Sequence, residues 1–252
     1  MKRTTKQFFC EGRAISARFA LLLCGIALAI APAAEAGVFS VTPVRIYMTP
    51  KDRAVAVTIV NEGDEPVALQ ADLNAWSQTA DGTDQLILTD DLILSPPIIK
   101  LAPKARQVVR LAMLKPADAS RQLTYRMIMR EIPEATQPKN ANIQVPIALA
   151  LSMPVFITPA PATKEISCTS AGNGGEITVT CRNSGTAYAQ VREILVKRGE
   201  KVEARFEGGV YILPGASKAI PIKISEPVPQ GPAQLAVTFD DAKSQSFQVM
   251  LP

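Results

Sequence analysis

No histidine occurs anywhere in the chain. Its absence removes Ser-His-Asp and Cys-His catalysis and the commonest metal ligand, and with them most hydrolase mechanisms of exported proteins. Aromatics make up 5% of the residues and Trp76 is the only tryptophan, which argues against a sugar-stacking groove and leaves core packing as its expected role. Helical periodicity is lacking beyond the N-terminal segment, and there is no phosphate-loop, dinucleotide or calcium-loop motif. The carboxylate pairs Asp90-Asp91 and Asp240-Asp241 are adjacent, so on extended chain they point to opposite faces and suit turns or rims better than acid-base chemistry. No catalytic residue, metal site or cofactor is assigned.

What is present begins with a leader. Lys2, Arg3, Lys6, Arg13 and Arg18 precede an apolar run from Phe19 through Ala34, and Ala34-Glu35-Ala36 then offers an A-x-A site. Residues 1–36 therefore read as a cleavable signal peptide cut after Ala36, which directs the chain to export. Gly25 and Pro32 interrupt the run, which is short for a retained membrane anchor. Leu23 is bulky for a lipoprotein site at Cys24. Without residues 1–36 the charges are 22 basic against 21 acidic, so electrostatics gives no reason to expect nucleic acid or an anionic surface as partner. Cys168 and Cys181 are the two cysteines left, and in an exported chain they are expected to pair across two adjacent strands. Zinc is the weaker alternative.

The longest pattern is Asn142 to Ile157. Its odd positions are Ile143, Val145, Ile147, Leu149, Leu151, Met153, Val155 and Ile157, all large and apolar, whereas Pro146 and Pro154 occupy even positions. A period of two held this long predicts an unusually long strand, and the prolines place it at a sheet edge. Such an edge is either covered or kept available for a partner. Upstream, strand-like runs such as Ala54–Val60, Val67–Trp76, Gln107–Met113 and Leu123–Ile132 alternate with Gly, Pro and Asp turns. Thr158-Pro159-Ala160-Pro161-Ala162 reads as a stiff linker, and seven short strand-like runs follow it. The expectation is an all-β protein of two tandem sandwiches, residues 37–157 and 163–252, joined by residues 158–162. Arg45, Arg110, Arg126 and Arg130 lie inside strand-like runs, where a charge needs solvent or a partner.

Several segments together resemble the periplasmic pilus-assembly chaperones of the PapD type. They are Val41-Thr42-Pro43-Val44-Arg45, Asn61-Glu62-Gly63-Asp64-Glu65-Pro66, Ser95-Pro96-Pro97, Val109-Arg110-Leu111, and Tyr125 through Arg130-Glu131-Ile132-Pro133 before the long strand. The resemblance implies two immunoglobulin-like domains with a cleft between them. It implies that the last strand of the first domain is lent to an incomplete pilin-like subunit, which is then passed to an outer-membrane usher. Val145, Ile147, Leu149 and Leu151 would fill the subunit's groove, with Ile143 and Met153 as extensions. The family's arginine anchor for the subunit's C-terminal carboxylate falls on Arg45. Its lysine falls on Pro154, so either another cation such as Arg126 compensates or capture is weaker. The family's interdomain ion pair would join Arg110 to Asp240 or Asp241, with Gln122 in place of the usual acidic mediator. A self-capping homodimer is compatible with such an edge, and no small-molecule substrate is implied. The alternative is an exported two-domain adhesin or structural pilus component; a subunit would carry its own donor extension, for which Gly37 to Ser40 is too short.

Overall fold

The computed structural model describes residues 39–133, 148–173, 176–224 and 229–251. The predicted leader and its cleavage site lie outside these residues. All regular structure among the described residues is β, arranged as two sandwiches.

In the first sandwich, one sheet has the order β1 (Phe39–Thr42), β3 (Ala54–Asn61), β8 (Arg106–Met113), β6 (Leu92–Ser95). The facing sheet has the order β2 (Ile46–Met48), β10 (Ala150–Ile157), β9 (Leu123–Glu131), β4 (Val67–Gln78), β5 (Asp84–Leu88), with β7 (Ile98–Leu101) also paired to β4. Alternation decides the faces. Leu69, Ala71 and Leu73 of β4, Tyr125, Met127 and Met129 of β9, and Met153, Val155 and Ile157 of β10 all point into one core with Val57, Ile59, Val109 and Leu111 of the other sheet. Pro43 ends β1, and the chain crosses to the facing sheet, where β2 runs parallel to the end of β10.

The second sandwich packs β11 (Ile166–Asn173), β12 (Glu176–Asn183) and β15 (Ser217–Lys223) on β14 (Lys201–Ile212), β13 (Ala189–Arg198), β16 (Gly231–Phe239) and β17 (Ser244–Leu251). Cys168 and Cys181 are register partners on β11 and β12 and form a disulfide. Their side chains belong to the second core, where Val179, Val191, Ile194, Leu235 and Val237 are fully buried. The expected pairing is thus present, and zinc has no role at these sulfurs.

A third cluster joins the sandwiches. Trp76 and Phe156, on the outer face of the first domain's sheet, pack with Leu213, Tyr188 and Tyr211 of the second. Trp76 is buried, but between domains rather than inside one.

Candidate functional site

Two features of the first sandwich converge at its junction with the second: the edge of β10 and the outer face of the sheet that contains it.

The edge comes first. Along its inner side β10 pairs antiparallel with β9 from Ala150↔Arg130 to Ile157↔Leu123. Its other side meets β2 only at Val155, Phe156 and Ile157. Among the described residues no strand lies beside Ala150–Pro154 on that side. Backbone direction follows from two bonds: Glu131 N–H donates to Leu149 O (2.9 Å), and Thr158 N–H donates to Met48 O (2.8 Å). Odd residues therefore turn their polar backbone groups toward β9, and even ones toward the open side. Ala150 and Ser152 present N–H and C=O there, while Pro154 has no N–H to present. Pro154 is tolerated because the donor it lacks would have faced the open edge rather than the β9 ladder.

Side chains on the odd positions divide along the strand. Leu149 is 39% exposed and Leu151 is half-buried against the first core. Met153 is only 4% exposed and is a core residue, so it is not available as a contact for a bound subunit. The reason is positional: from Met153 onward the odd face lies over the facing sheet, and burial there stabilises the domain itself. Ile143, Val145 and Ile147 lie outside the described residues.

The outer face of the same sheet carries the polar and aromatic residues. One row crosses four strands in register: Pro154 of β10, Arg126 of β9, Asn74 of β4 and Leu88 of β5. Arg126 places its guanidinium carbon 3.8 Å from the Trp76 ring centroid and 5.3 Å from that of Tyr211. Burial pulls the Arg126 pKa down from its ordinary value, against the nearby Tyr211 and Asp84. Among the described residues Arg126 has no salt bridge. Asp84, whose charge acts on Arg126, accepts from Trp76 Nε1 (3.0 Å) and Gln78 Nε2 (2.8 Å). Asp72 is held by Arg130 and Gln70.

Arg45, in the turn before β2, reaches across the junction instead. It donates to Asp240 Oδ2 (3.2 Å) and to Gln190 Oε1 (2.6 Å) of the second sandwich. Asp240 also accepts from Tyr188 Oη (2.7 Å), which lies 2.9 Å from Tyr47 Oη. Burial raises the Tyr188 pKa, reinforced by its bonds to Tyr47 and Asp240. This corrects the expected interdomain pair. Arg110 is exposed on β8, between Ala56 and Ser95 in register, on the sheet that does not carry the junction. Asp241 is taken by Lys164 Nζ (2.7 Å). Gln122 joins the sandwiches by amide bonds: Nε2 donates to Thr158 Oγ1 (2.6 Å), and Oε1 accepts from Tyr188 N–H (2.9 Å).

The β4–β5 hairpin closes the other side of the junction. Gln78 donates to Tyr211 O (3.1 Å) and accepts from Leu213 N–H (2.8 Å), while Ser217 N–H donates to Ala80 O (3.0 Å) and Lys218 Nζ to Gly82 O (2.6 Å). Sequence reasoning did not single out Gln78, Asn74, Tyr188 or Gln190. Each is an ordinary polar residue in or beside a strand, and its importance arises only where strands from distant sequence meet.

The family model for the N-terminal domain of PapD, a pili and flagellar-assembly chaperone, matches residues 38–162. The first sandwich belongs to the PapD-like chaperone family. This family of assembly chaperones is not enzymatic, and the chain is a chaperone rather than an enzyme. The PapD-like fold extends over both sandwiches. A chain of the CsuC–CsuE chaperone–tip adhesion subunit pre-assembly complex of Acinetobacter baumannii superposes with a TM-score of 0.63 at 16% identity, covering 85% of this chain and 99% of that one. A chain of the Salmonella enterica complex of SafA pilin with the SafB chaperone gives 0.56 at 15% identity, covering 87% and 99%. The E. coli chaperone DraB gives 0.54 at 16% identity, covering 85% and 97%. Among curated proteins no match was found.

Proposed function

We propose that this PapD-like chaperone acts in the periplasm on pilin-like subunits, lending each one the open edge of β10 and then delivering it to an outer-membrane usher. The observation that carries this reading is the edge at Ala150–Pro154, with unpaired backbone groups on one side and Leu149 and Leu151 partly exposed beside it. Strand addition joins that backbone ladder to a subunit sheet, and each leucine that becomes fully buried adds about 1.5–3 kcal/mol. Residues 1–36 act as the leader, and residues 158–162 link the domains.

The subunit's C-terminal carboxylate is received at the junction, where Arg45 and Arg126 are the candidate cations. Arg126 stands directly across from Pro154, the position at which the family's lysine is missing. It is therefore the better placed replacement, and its planar fork can hold a carboxylate through two bonds. In the absence of a subunit the same open edge favours a self-capping homodimer.

The test is reconstitution. Mature protein mixed with a denatured pilin-like subunit is expected to give a stable 1:1 complex on size exclusion, and Leu149→Glu and Leu151→Glu are expected to abolish it, the exposed Leu149 site leaving the fold intact. Complex formation unaffected by both substitutions would remove strand donation as the mechanism.

A further inference from the structure

We infer that β17, the last strand of the second sandwich, is a self-association edge: two copies of this chain pair their β17 strands antiparallel about a two-fold axis at Ser246, and the β10 edge of each stays free.

A strand that ends a sheet leaves a row of backbone N–H and C=O groups unpaired, and folded proteins blunt it with charge, proline, a bulge or cover. The other edges of the second sandwich carry such devices. β14 has Lys201, Glu203, Arg205 and Glu207 along it, and a register shift leaves Glu203 without a cross-strand partner. β15 has Pro221 between Lys218 and Lys223. β11 lies against the end of β17, where Ser170 Oγ donates to Met250 O (3.0 Å). β17 itself, Ser244-Gln245-Ser246-Phe247-Gln248-Val249-Met250-Leu251, contains no charge, proline or glycine. It pairs with β16 without a shift from Gly231↔Leu251 to Thr238↔Ser244, and among the described residues no strand is bonded to its other side.

Two hydrogen bonds set the direction of its backbone. Phe239 N–H donates to Lys243 O (3.0 Å), so odd residues face β16, whereas Met250 O, taken by Ser170, faces away. Ser244, Ser246 and Gln248, all exposed, therefore turn N–H and C=O to the open side. An antiparallel partner must offer the same pattern in reverse. A second β17 does so when Ser246 stands opposite its own equivalent and Ser244 opposite Gln248 of the second copy, each pair exchanging both N–H···O bonds. The contact is isologous and closes on itself. A two-fold pairing of charged strands risks setting like charges against each other; here only hydroxyls and amides meet on the outer face. On the inner face Phe247, partly buried against the second core, gains cover from Gln245 of the second copy. Moving the register by two residues either engages Met250, whose carbonyl Ser170 already holds, or sets Gln248 against the turn at Ala242, where φ is +60°.

Such a dimer joins the second sandwiches into one continuous sheet. It is distinct from self-capping through β10, and it leaves both donor edges able to take a subunit.

Sedimentation velocity of the mature protein over a concentration series is expected to show a reversible dimer. Ser246→Pro removes a donor from the open side alone, as Pro154 does on β10, so the β16 ladder stays whole. This variant is expected to keep its fold and its capture of a denatured subunit, and to self-associate at least about tenfold more weakly. Leu149→Glu is expected to leave the dimer unchanged. Cysteines report the register. Facing residues of a bonded pair have Cα atoms about 5.5 Å apart, within disulfide range. Cys168 and Cys181 are already joined and do not compete. Under mild oxidation Ser246→Cys is expected to give a disulfide-linked dimer, and Gln248→Cys to link only when mixed with Ser244→Cys. A monomer at every concentration with no Ser246→Cys link would overturn the inference. So would a dimer that survives Ser246→Pro and is lost in Leu149→Glu, which would place self-association at β10. Were Ser246→Pro to unfold, the cysteine pattern alone would decide, and a Gln248→Cys chain linking to itself would overturn the pairing at Ser246.

Discussion

Phe156 stacks on Tyr188 with ring centroids 3.9 Å apart and planes 13° from parallel. The end of the proposed donor strand is therefore packed against the second sandwich, and Tyr47 and Trp76 flank the same ring. Phe156 is fully buried, so Phe156→Ala is expected to cost about 3–5 kcal/mol in urea unfolding. It should also loosen the junction, seen as increased protease cleavage near residues 158–162.

Neighbouring odd positions of β10 should behave oppositely. Met153→Ala opens the first core and is expected to cost about 2–5 kcal/mol. Leu149→Ala, at a partly exposed site, is expected to change stability by about 0.5 kcal/mol or less while weakening subunit capture. Paired denaturant curves and pull-down assays separate the two.

Gly82 sits at φ +82° with its backbone against the second sandwich, and an added Cβ would fall 2.4 Å from Ser217 O. Gly82→Ala is expected to cost about 1–2 kcal/mol from backbone conformation alone. The clash should also undock the hairpin, which small-angle scattering would record as a larger radius of gyration.

Tyrosine ionisation should be delayed in the folded protein. Burial first, then Asp91, pushes Tyr125 up to about 12, and burial also raises Tyr188 and Tyr211. The neutral phenol is the form the fold favours, so this stability is fully present below the ordinary value near 10 and is lost as pH rises toward about 12. Absorbance titration at 295 nm is expected to show Tyr125, Tyr188 and Tyr211 ionising later than a free tyrosine or only on unfolding. Tyr125→Phe should flatten the fall of Tm in that range.

Cys168 and Cys181 are 13 residues apart in sequence. Closing so short a loop is worth about 3 kcal/mol, so Cys168→Ser with Cys181→Ser is expected to lose about that much. Calorimetry should place the loss in the transition of the second sandwich.

Much of the fold was legible because its signals are local. Alternation in Ala54–Val60, Val67–Trp76 and Leu123–Ile132 marked strands that the structure contains, and the cysteine pair marked two neighbouring strands. The candidate site was legible only in part. The apolar row on the long strand was visible, but not that Met153 belongs to the core while Leu149 does not. Arg45 was recognised as unusual, yet its partners Gln190 and Asp240 lie 145 and 195 residues away, and no local pattern names them.

The sequence by itself determined that this chain is all-β, with no histidine chemistry and a strand whose alternation and prolines suit an edge. A period of two and a missing N–H are properties of the chain, whatever surrounds it. Only the tertiary structure decided which part of that edge stays open, that Arg45 holds Asp240, and that Arg126 stands between Pro154 and Asn74. Those relations depend on register and on the meeting of two sandwiches, where burial sets the value of each charge and each donor.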